Sequence, residues 1–537
     1  MPTLPVMVTR TRISAELNGL RAAVRAGMVG PMPPRALAAT ARALRGYGPL
    51  GAATALPAHR FPGRTGLVDE RGSLTFGELD RRCNALANAL LSRGIGVGDT
   101  VGILCRNHRG LLEAMSGAAK TGASVLFLNT DFAAPQLRDA VEREGVTAVI
   151  HDEEFGAVAH GLEQPCFTDS DLDVLIGAAD GAPPPAPSRP GSMVILTSGT
   201  SGRPKGAPRS QSRSMALPGG ILSKVPLRGG EAMFVGPPLF HGLGLTSAVL
   251  ALGLGSTLVL RRRFDAAKVL DDLEAHGCTS LIAVPVMLSR LLAVPGLETR
   301  DLSRLDVVMT GGARLDAGLG GRALAAFGPS LYNFYGSTEA SCITIATPED
   351  LAAAPGCVGR PPTGTTVAIL GGDDRPVPPG TTGRIFVDTP ARFGGYTGGG
   401  GKEEVGGLMA VGDLGHLDAG GRLHVDGRAD DMIVSGGENV HPGEVEDLLA
   451  AHPGIEEAAV TGVPDEEFGQ RLRAHVVARG LTEDDVKGHV AANLARHKVP
   501  RDVVFLEALP RNPAGKVVKH ALPDAAEPPP GRRPDQE

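Results

Sequence analysis

The chain has no tryptophan, and only 4% of its 537 residues are aromatic. Stacking platforms for single-stranded bases are therefore scarce. A basic excess is missing as well: the net charge is −6, which gives no global field for a polyanion. Both observations argue against a nucleic-acid partner. Six cysteines stand at positions 83, 105, 166, 278, 342 and 357, with no C-x-x-C pair among them. Zinc and dithiol redox motifs are thus absent. Scattered thiols in a large chain fit a reducing cytosol, so a cytoplasmic location is expected. The longest apolar run, Thr246–Leu260, contains glycines and is too short to cross about 30 Å of hydrocarbon. Residues 1–15 carry arginines and no acid, and no apolar run with a cleavage site follows.

What is present is glycine (74) and proline (43) in quantity, with 42% hydrophobic and 21% charged residues. That is a globular composition rich in turns. The length suggests about three or four domain-sized units. Residues 10–48 read as helical, broken by "GPMPPR". Arg21, Arg25, Arg35, Arg42 and Arg45 would suit contact with an anionic membrane surface. A plain N-terminal helical hairpin is the preferred reading. Thr75 and Glu78 have capping-box spacing, and Leu79, Cys83, Leu86, Ala87 and Leu90 share one helical face. Strands then alternate with helices: 101–104, 111–120, 124–128, 134–144 and 148–151. After a Pro-rich linker (182–192) the alternation resumes with a helix after the 195–210 loop, strands at 232–235 and 257–260, a helix at 266–275 and a strand at 280–284. This pattern predicts an α/β chain with parallel sheets covered on both faces. A β-rich part (365–388) and a small α/β unit of roughly 100 residues beyond Gly427 follow. Residues 523–537 read as a disordered tail.

Four stretches carry chemistry. In "ILTSGTSGRPKGAPRS" (195–210) a strand runs into hydroxyls, glycines and Lys205. Gly199 and Gly202 permit close backbone approach, and the arc can form a nest for phosphate oxygens. The spacing is not that of a Walker A loop; the alternative is an ordinary surface loop. In "NFYGSTEAS" (333–341) Tyr335 can lie on a flat base, Thr338 can meet a phosphate, and Glu339 can hold Mg²⁺ as an oxygen ligand. Asp413 is a natural partner for vicinal ribose hydroxyls, with Arg428 nearby. "PRNPAGKVVKH" (510–520) puts Lys516 on a glycine-bearing turn. Singly, each also reads as a tight turn, an acidic loop or a basic tail.

In this order and spacing the four stretches resemble the adenylate-forming superfamily of acyl-CoA synthetases, peptide-synthetase adenylation domains and beetle luciferases. The resemblance covers about residues 60–522. "DDMIVSGGENVHPGEVE" and "PRNPAGKVVK" look most like bacterial fatty-acyl-CoA synthetases. The resemblance implies a large N-terminal domain of two sheet-and-helix subdomains plus a β-barrel, and a small mobile α+β C-terminal domain. The expected boundaries are 1–50 for an N-terminal helical extension, 51–428 for the AMP-binding domain and 429–522 for the mobile domain.

The implied reaction uses ATP, Mg²⁺ and CoA. A carboxylate attacks the α-phosphate, and a thiol then displaces AMP. By motif, Thr197, Ser198, Thr200, Ser201 and Lys205, with Gly199 and Gly202, would hold the β- and γ-phosphates. Gly311, Gly312 and Ala313 in "MTGGAR" would line the adenine and acyl pocket, with Tyr335, Gly336 and Ser337 near the nucleotide. Thr338 would touch the α-phosphate and Glu339 would hold Mg²⁺. Asp413 and Arg428 would bind ribose. Lys516 would bridge ribose, α-phosphate and carboxylate. His241 would sit between the acyl pocket and the thiol's approach. Asp430 would be the pivot between domains, and Gly436 and Gly437 would lie against the pantetheine arm.

The resemblance implies a medium- to long-chain fatty acid as substrate. An amino-acid enzyme wants an acid near "PPLFHG", where Phe240 and His241 stand, which favours a non-amino acid. Loading of a carrier-protein phosphopantetheine is the alternative. A regulatory module without turnover and a luciferase-like side activity are the more distant ones. The oligomeric state stays open, a homodimer being one form. The glycine-rich run "FGGYTGGGGKEEVGG" (393–407) is a departure from the family's pattern that would loosen the loop before Asp413.

Overall fold

The computed structural model describes residues 4–197, 205–209, 214–429, 431–435, 438–465, 469–513 and 515–523. Two sheets dominate. The larger has eight strands in the order Ser341–Ala346, Leu331–Ser337, Val307–Gly311, Cys278–Ala283, Ala232–Val235, Thr257–Val259, Thr65–Asp69 and Gly72–Thr75. The second has six, in the order Cys166–Thr168, Ala148–His151, Thr100–Leu104, Ser124–Phe127, Met193–Thr197 and Lys205–Arg209. Pairing is parallel except at the edges, where Gly72–Thr75, Ser341–Ala346 and Lys205–Arg209 run antiparallel to their neighbours. Every residue of Cys278–Ala283 is buried, as a strand covered on both faces requires.

Within the stretch read as a loop, Lys205–Arg209 is a strand. Lys205 pairs back onto Thr197 and Arg209 onto Met193, so the phosphate-loop sequence closes a β-hairpin. The helix expected after the loop is the short Ala216–Leu222. The β-rich unit is a five-stranded antiparallel sheet in which Leu408–Leu417 pairs with both Gly383–Asp388 and Leu423–Arg428. A fourth sheet, of five strands, holds the small C-terminal unit together, with Gly469–Ala478 at its centre.

The N-terminal extension forms helices α1 (Leu4–Arg25), α2 (Pro34–Gly51) and α3 (Ala55–Arg60). Helix α4 (Phe76–Leu91) starts at the anticipated capping box: Thr75 N–H donates to Glu78 Oε2 at 2.8 Å and Glu78 N–H to Thr75 Oγ1 at 3.2 Å. Such caps contribute about 1 kcal/mol. Helix α5 (Arg109–Thr121) is buried along its whole length. It must therefore pair its charges internally. Arg109 grips Asp69, and Arg82 reaches Glu113 at 2.5 Å. Lys120 Nζ, fully buried, meets Asp80 Oδ1 and Asn84 Oδ1, each at 2.6 Å. Thr54 Oγ1 donates to the same Asp80 oxygen at 2.9 Å, which ties the N-terminal segment to this network.

Candidate active site

The carboxyl ends of the parallel strands converge on one region, the usual crevice of open α/β sheets. Gly311 ends its strand beside Phe334, where a Cβ would fall 2.4 Å from the Phe334 carbonyl oxygen. Gly336 is tighter still, since a Cβ there would sit 1.9 Å from the Ser341 oxygen. The chain then turns sharply through Ser337–Ser341, with Ser337 Oγ accepting from Ala340 N–H at 3.1 Å. Thr338 is thereby left at the tip of the turn and lines a cavity of about 780 Å³, together with Gly312, Gly336 and Ser337.

Lys516 lines the same end of that cavity. Its backbone N–H donates to Asn512 Oδ1 at 2.9 Å, which fixes the turn that carries it. The preceding Gly515 has φ +77°, and a Cβ there would come within 2.7 Å of Val286, so only glycine fits against the large domain. The exposed Lys516 ammonium forms no ion pair among the described residues. An Arg314–Asp447 ion pair also joins the C-terminal unit to the large domain.

Asp413 and Arg428 stand directly opposite each other on paired strands, 3.3 Å apart at Oδ1 and Nη1. Tyr335 donates its phenol to the other oxygen, Oδ2, at 2.5 Å. Burial and the adjacent Asp413 push the Tyr335 phenol well above its ordinary range, so it remains a donor. A carboxylate has about four acceptor positions, so Asp413 keeps room for further hydroxyl donors.

Glu339 is 9% exposed. Its Oε1 accepts from Tyr396 O–H at 2.7 Å, with Lys402 Nζ at 3.9 Å. Its Oε2 has no partner among the described residues. A mostly buried carboxylate with one oxygen left open suits a hard cation. Tyr396 and Lys402 come from the glycine-rich run, and sequence reasoning did not single them out. That run is shaped rather than loosened by its glycines: Gly395, Gly398, Gly399 and Gly400 all take positive φ, and Tyr396 N–H bonds back to Gly400 O. Lys205 is exposed and lies 5.6 Å from the Tyr396 ring centre. Thr397 N–H donates to Gly206 O at 2.9 Å, so the glycine-rich run is fastened to the hairpin strand.

Arg209, also unanticipated, sits beneath the turn and donates Nη2 to the Thr338 carbonyl. Burial lowers its guanidinium to about 10, still cationic at neutral pH. Its Nε is buried without a hydrogen-bond partner, and the residue lines the cavity.

His241 precedes the helix Gly242–Leu254 and faces the cavity with Nε2 buried and unpartnered. Burial lowers its imidazole to about 4, so it is neutral at physiological pH. Its loop is clamped from the other sheet: Asn107 Nδ2 donates to Pro237 O at 2.9 Å and Asn107 Oδ1 accepts from Leu239 N–H at 2.8 Å. Away from Lys516 the cavity is mainly apolar and passes Phe240, Leu245 and Val249 to Met28, Leu37 and Leu44 of the N-terminal helices. Among the described residues no aspartate or glutamate lines it.

The structure thus brings Gly312, Gly336, Ser337, Thr338, His241 and Lys516 to one cavity. The Tyr335–Asp413–Arg428 group and Glu339 are joined to it through the same turn. Gly311, Ala313 and Lys205 do not line the cavity. Ser198, Gly199, Thr200, Ser201, Gly202, Asp430, Gly436, Gly437 and the tail from 524 lie outside the described residues, and Thr197 is described only as the end of its strand. A buried Cys105–His108–Asp152 cluster also has metal-ligand chemistry. Its groups are already used: His108 Nε2 bonds Asp152 at 2.7 Å, and His108 Nδ1 accepts from Gly110 N–H at 3.0 Å.

Comparison with known proteins now fixes the class. Residues 55–397 match the AMP-binding enzyme family and residues 444–516 the AMP-binding enzyme C-terminal domain. A fatty acid–[acyl-carrier-protein] ligase, ScoC of Streptomyces coeruleorubidus, is 30% identical over 88% of this chain and 95% of its own. A feruloyl-CoA synthase of an Amycolatopsis species is 35% identical over 83% of this chain and 93% of its own. The o-succinylbenzoate CoA synthetase MenE of Bacillus subtilis, solved with its acyl-adenylate intermediate, superposes with a TM-score of 0.79 at 27% identity, covering 88% of this chain and 98% of that one. The chain belongs to the AMP-binding, adenylate-forming family. Within it, it is an acid–thiol ligase, joining an acyl or aryl acid to a thiol or activating it as the acyl-AMP.

Proposed function

We propose that this enzyme activates a medium- to long-chain fatty acid with ATP and transfers the acyl group to CoA. The cavity carries the reading. The cation-bearing end at Lys516 and Thr338 opens into a mainly apolar passage that continues as far as the N-terminal helices, where Arg60 is held by the Gly27 and Met28 carbonyls. A flexible alkyl chain fills such a space, whereas a compact aryl acid leaves its far end empty. No acid among the described residues of the lining offers a partner to a substrate ammonium.

In the first step a carboxylate oxygen bonds to the α-phosphorus and the bond to pyrophosphate breaks. Two anions meet, and like charges 4 Å apart repel by roughly 4 kcal/mol at an effective dielectric of 20. Lys516 and Arg209 supply positive charge at that meeting point. Asp413 takes the ribose hydroxyls, oriented by Arg428 and Tyr335. The 197–205 hairpin and Lys205 grip the departing pyrophosphate. Glu339 would hold Mg²⁺ through Oε2, and the ion would neutralise phosphate charge when bound.

In the second step the thiol sulfur bonds to the acyl carbon and AMP leaves. Rotation of the small domain about Asp430 withdraws Lys516 and brings Gly436 and Gly437 to the pantetheine arm. His241, neutral and facing the cavity, borders the reacting carbonyl.

The deciding measurement is pyrophosphate release over a panel from acetate to stearate, with ferulate and indoleacetate included. CoA or a phosphopantetheinyl carrier protein would be supplied as acceptor. Dodecanoate to hexadecanoate with CoA should give the highest kcat/KM. Faster turnover of ferulate would sink the fatty-acid reading. A carrier protein outcompeting CoA would favour the second reading, to which the resemblance to a fatty acid–[acyl-carrier-protein] ligase lends support.

A further inference from the structure

Helices α1 and α2 lie before the family match, which starts at residue 55. Helix α1 is built the wrong way round for a helix packed on a protein core. Its small residues Ala15, Gly19, Ala22, Ala23 and Ala26 (the last just past the helix end) face inward. They approach the helix Ala216–Leu222 so closely that a Cβ on Gly219 would lie 2.1 Å from Gly19 Cα. Its large residues Ile13, Leu17, Leu20 and Val24 point outward, 62%, 54%, 42% and 52% exposed. Their spacing of four, three and four places them in one stripe along the helix. A core-packed helix buries its large side chains and exposes small or polar ones.

The charges around this stripe are equally one-sided. Residues 1–50 hold seven arginines and one acid, in a chain whose net charge is −6. The one acid, Glu16, is used inward, accepting from Met215 N–H at 2.9 Å and from Ser214 Oγ. Arg21, Arg25, Arg35 and Arg42 are exposed and form no ion pair among the described residues. On the helical wheel Arg21 and Arg25 flank the apolar stripe on one side.

The cavity reaches the surface close to the end of helix α1. Val29, just beyond that end, and Leu37 are 38% and 57% exposed and line the cavity rim. Arg60 holds that rim, donating Nη1 to Gly27 O at 2.9 Å and to Met28 O at 2.8 Å.

We infer that the α1–α2 face is a docking surface for an anionic lipid bilayer, and that acyl substrate passes from the lipid into the cavity past Val29 and Leu37. No described helix is long and apolar enough to cross a membrane. The contact is therefore a helix lying in the interface, with its stripe in the acyl boundary and its arginines among the phosphates. Charge complementarity and the nearby rim select lipid over a second copy of the chain, whose own basic face would repel this one. Only the passage of substrate rests on the fatty-acid reading; the docking itself does not.

The test is co-sedimentation of the full chain with vesicles of phosphatidylcholine alone or equimolar with phosphatidylglycerol. Binding to the anionic vesicles, weakened by salt, is expected. The pair Arg21→Gln and Arg25→Gln should lower partitioning about 30-fold. The pair Leu17→Glu and Leu20→Glu should lower it at least about 100-fold. Both should keep the wild-type melting temperature and turnover of octanoate supplied in solution. Equal binding to neutral vesicles, no binding, or unaltered binding of both variants overturns the inference. So does a wild-type dimer that Leu17→Glu converts to monomer, which would make the stripe a self-interface. If vesicles bind but fatty acids fail the carboxylate panel, the docking surface stands and the substrate reading falls.

Discussion

Lys516 and Thr338 line the same end of one cavity, although they belong to different domains and to stretches far apart in sequence. Lys516 reaches it on a turn seated against Val284 and Val286 through Gly515. The arrangement is that of a site assembled by docking. Lys516→Ala should cut acyl-AMP formation by about 10²–10³-fold. Thioester formation from supplied acyl-AMP should change little. Single-turnover assays of each half-reaction check this, and equal losses in both would remove Lys516 from its assigned role.

Asp413 has each carboxylate oxygen held by a different neighbour, Tyr335 and Arg428. The pair fixes the acid's orientation before nucleotide arrives. Tyr335→Phe should therefore raise KM for ATP with little change in kcat. A hydrogen bond to a charged group contributes about 1.5–3 kcal/mol, so the increase should be roughly 10- to 100-fold at most. Asp413→Asn should do at least as much. A fall in kcat at unchanged KM would place Tyr335 at the reacting centre instead.

Arg209 offers a cation from below the Thr338 turn, in a position with no signal of its own in the sequence. Arg209→Gln should lower kcat for adenylation by about 10²-fold while KM for the acid moves less. Arg209→Lys keeps the charge but not the fork, and should recover only part of the rate. If both variants match wild type in rate and differ only in melting temperature, the residue supports the turn and nothing more.

Local signals were legible and long-range ones were not. The Thr75–Glu78 capping box spans three residues and was readable in the string. So were the alternating strands and helices, whose apolar periods are local. The strand Lys205–Arg209 was not, because Gly206 and Pro208 hide any alternation and its partner lies across a loop. Asn107 clamps the His241 loop from about 130 residues away, and nothing in either segment announces it. Tyr396 and Lys402 were masked by glycines whose purpose is the positive φ of a turn, visible only once the turn is built. Helix α1 was legible as a helix, but an amphipathic reading buries Ile13, Leu17 and Leu20, and the fold buries the alanines.

Lys120 shows how the N-terminal segment is fastened. Its ammonium is fully buried and shares Asp80 with Thr54. Removing one partner of a buried pair leaves the other charged and unsatisfied, at a cost of about 3–5 kcal/mol. Lys120→Ala should destabilise the large domain by that amount in urea titration. Lys120→Ala with Asp80→Ala should recover part of the loss. Full additivity of the two single changes would mean that the pair is not coupled.

His241 supplies a pH test. Its imidazole titrates near 4 in the folded chain because burial disfavours the charged form, and near 6.5 when unfolded. Between these values the unfolded chain binds a proton that the folded chain does not. Stability contributed by the neutral ring is therefore fully present above about pH 6.5 and lost as pH falls toward 4. The loss is at most roughly 3 kcal/mol over that window. His241→Phe should flatten this part of the stability profile, measured by urea midpoints from pH 4 to 7. The same variant should leave the activity profile between pH 7 and 9 unchanged in shape, because the native ring is already neutral there. A wild-type activity limb near pH 7 that disappears in His241→Phe would show instead that the ring takes up a proton in the occupied site.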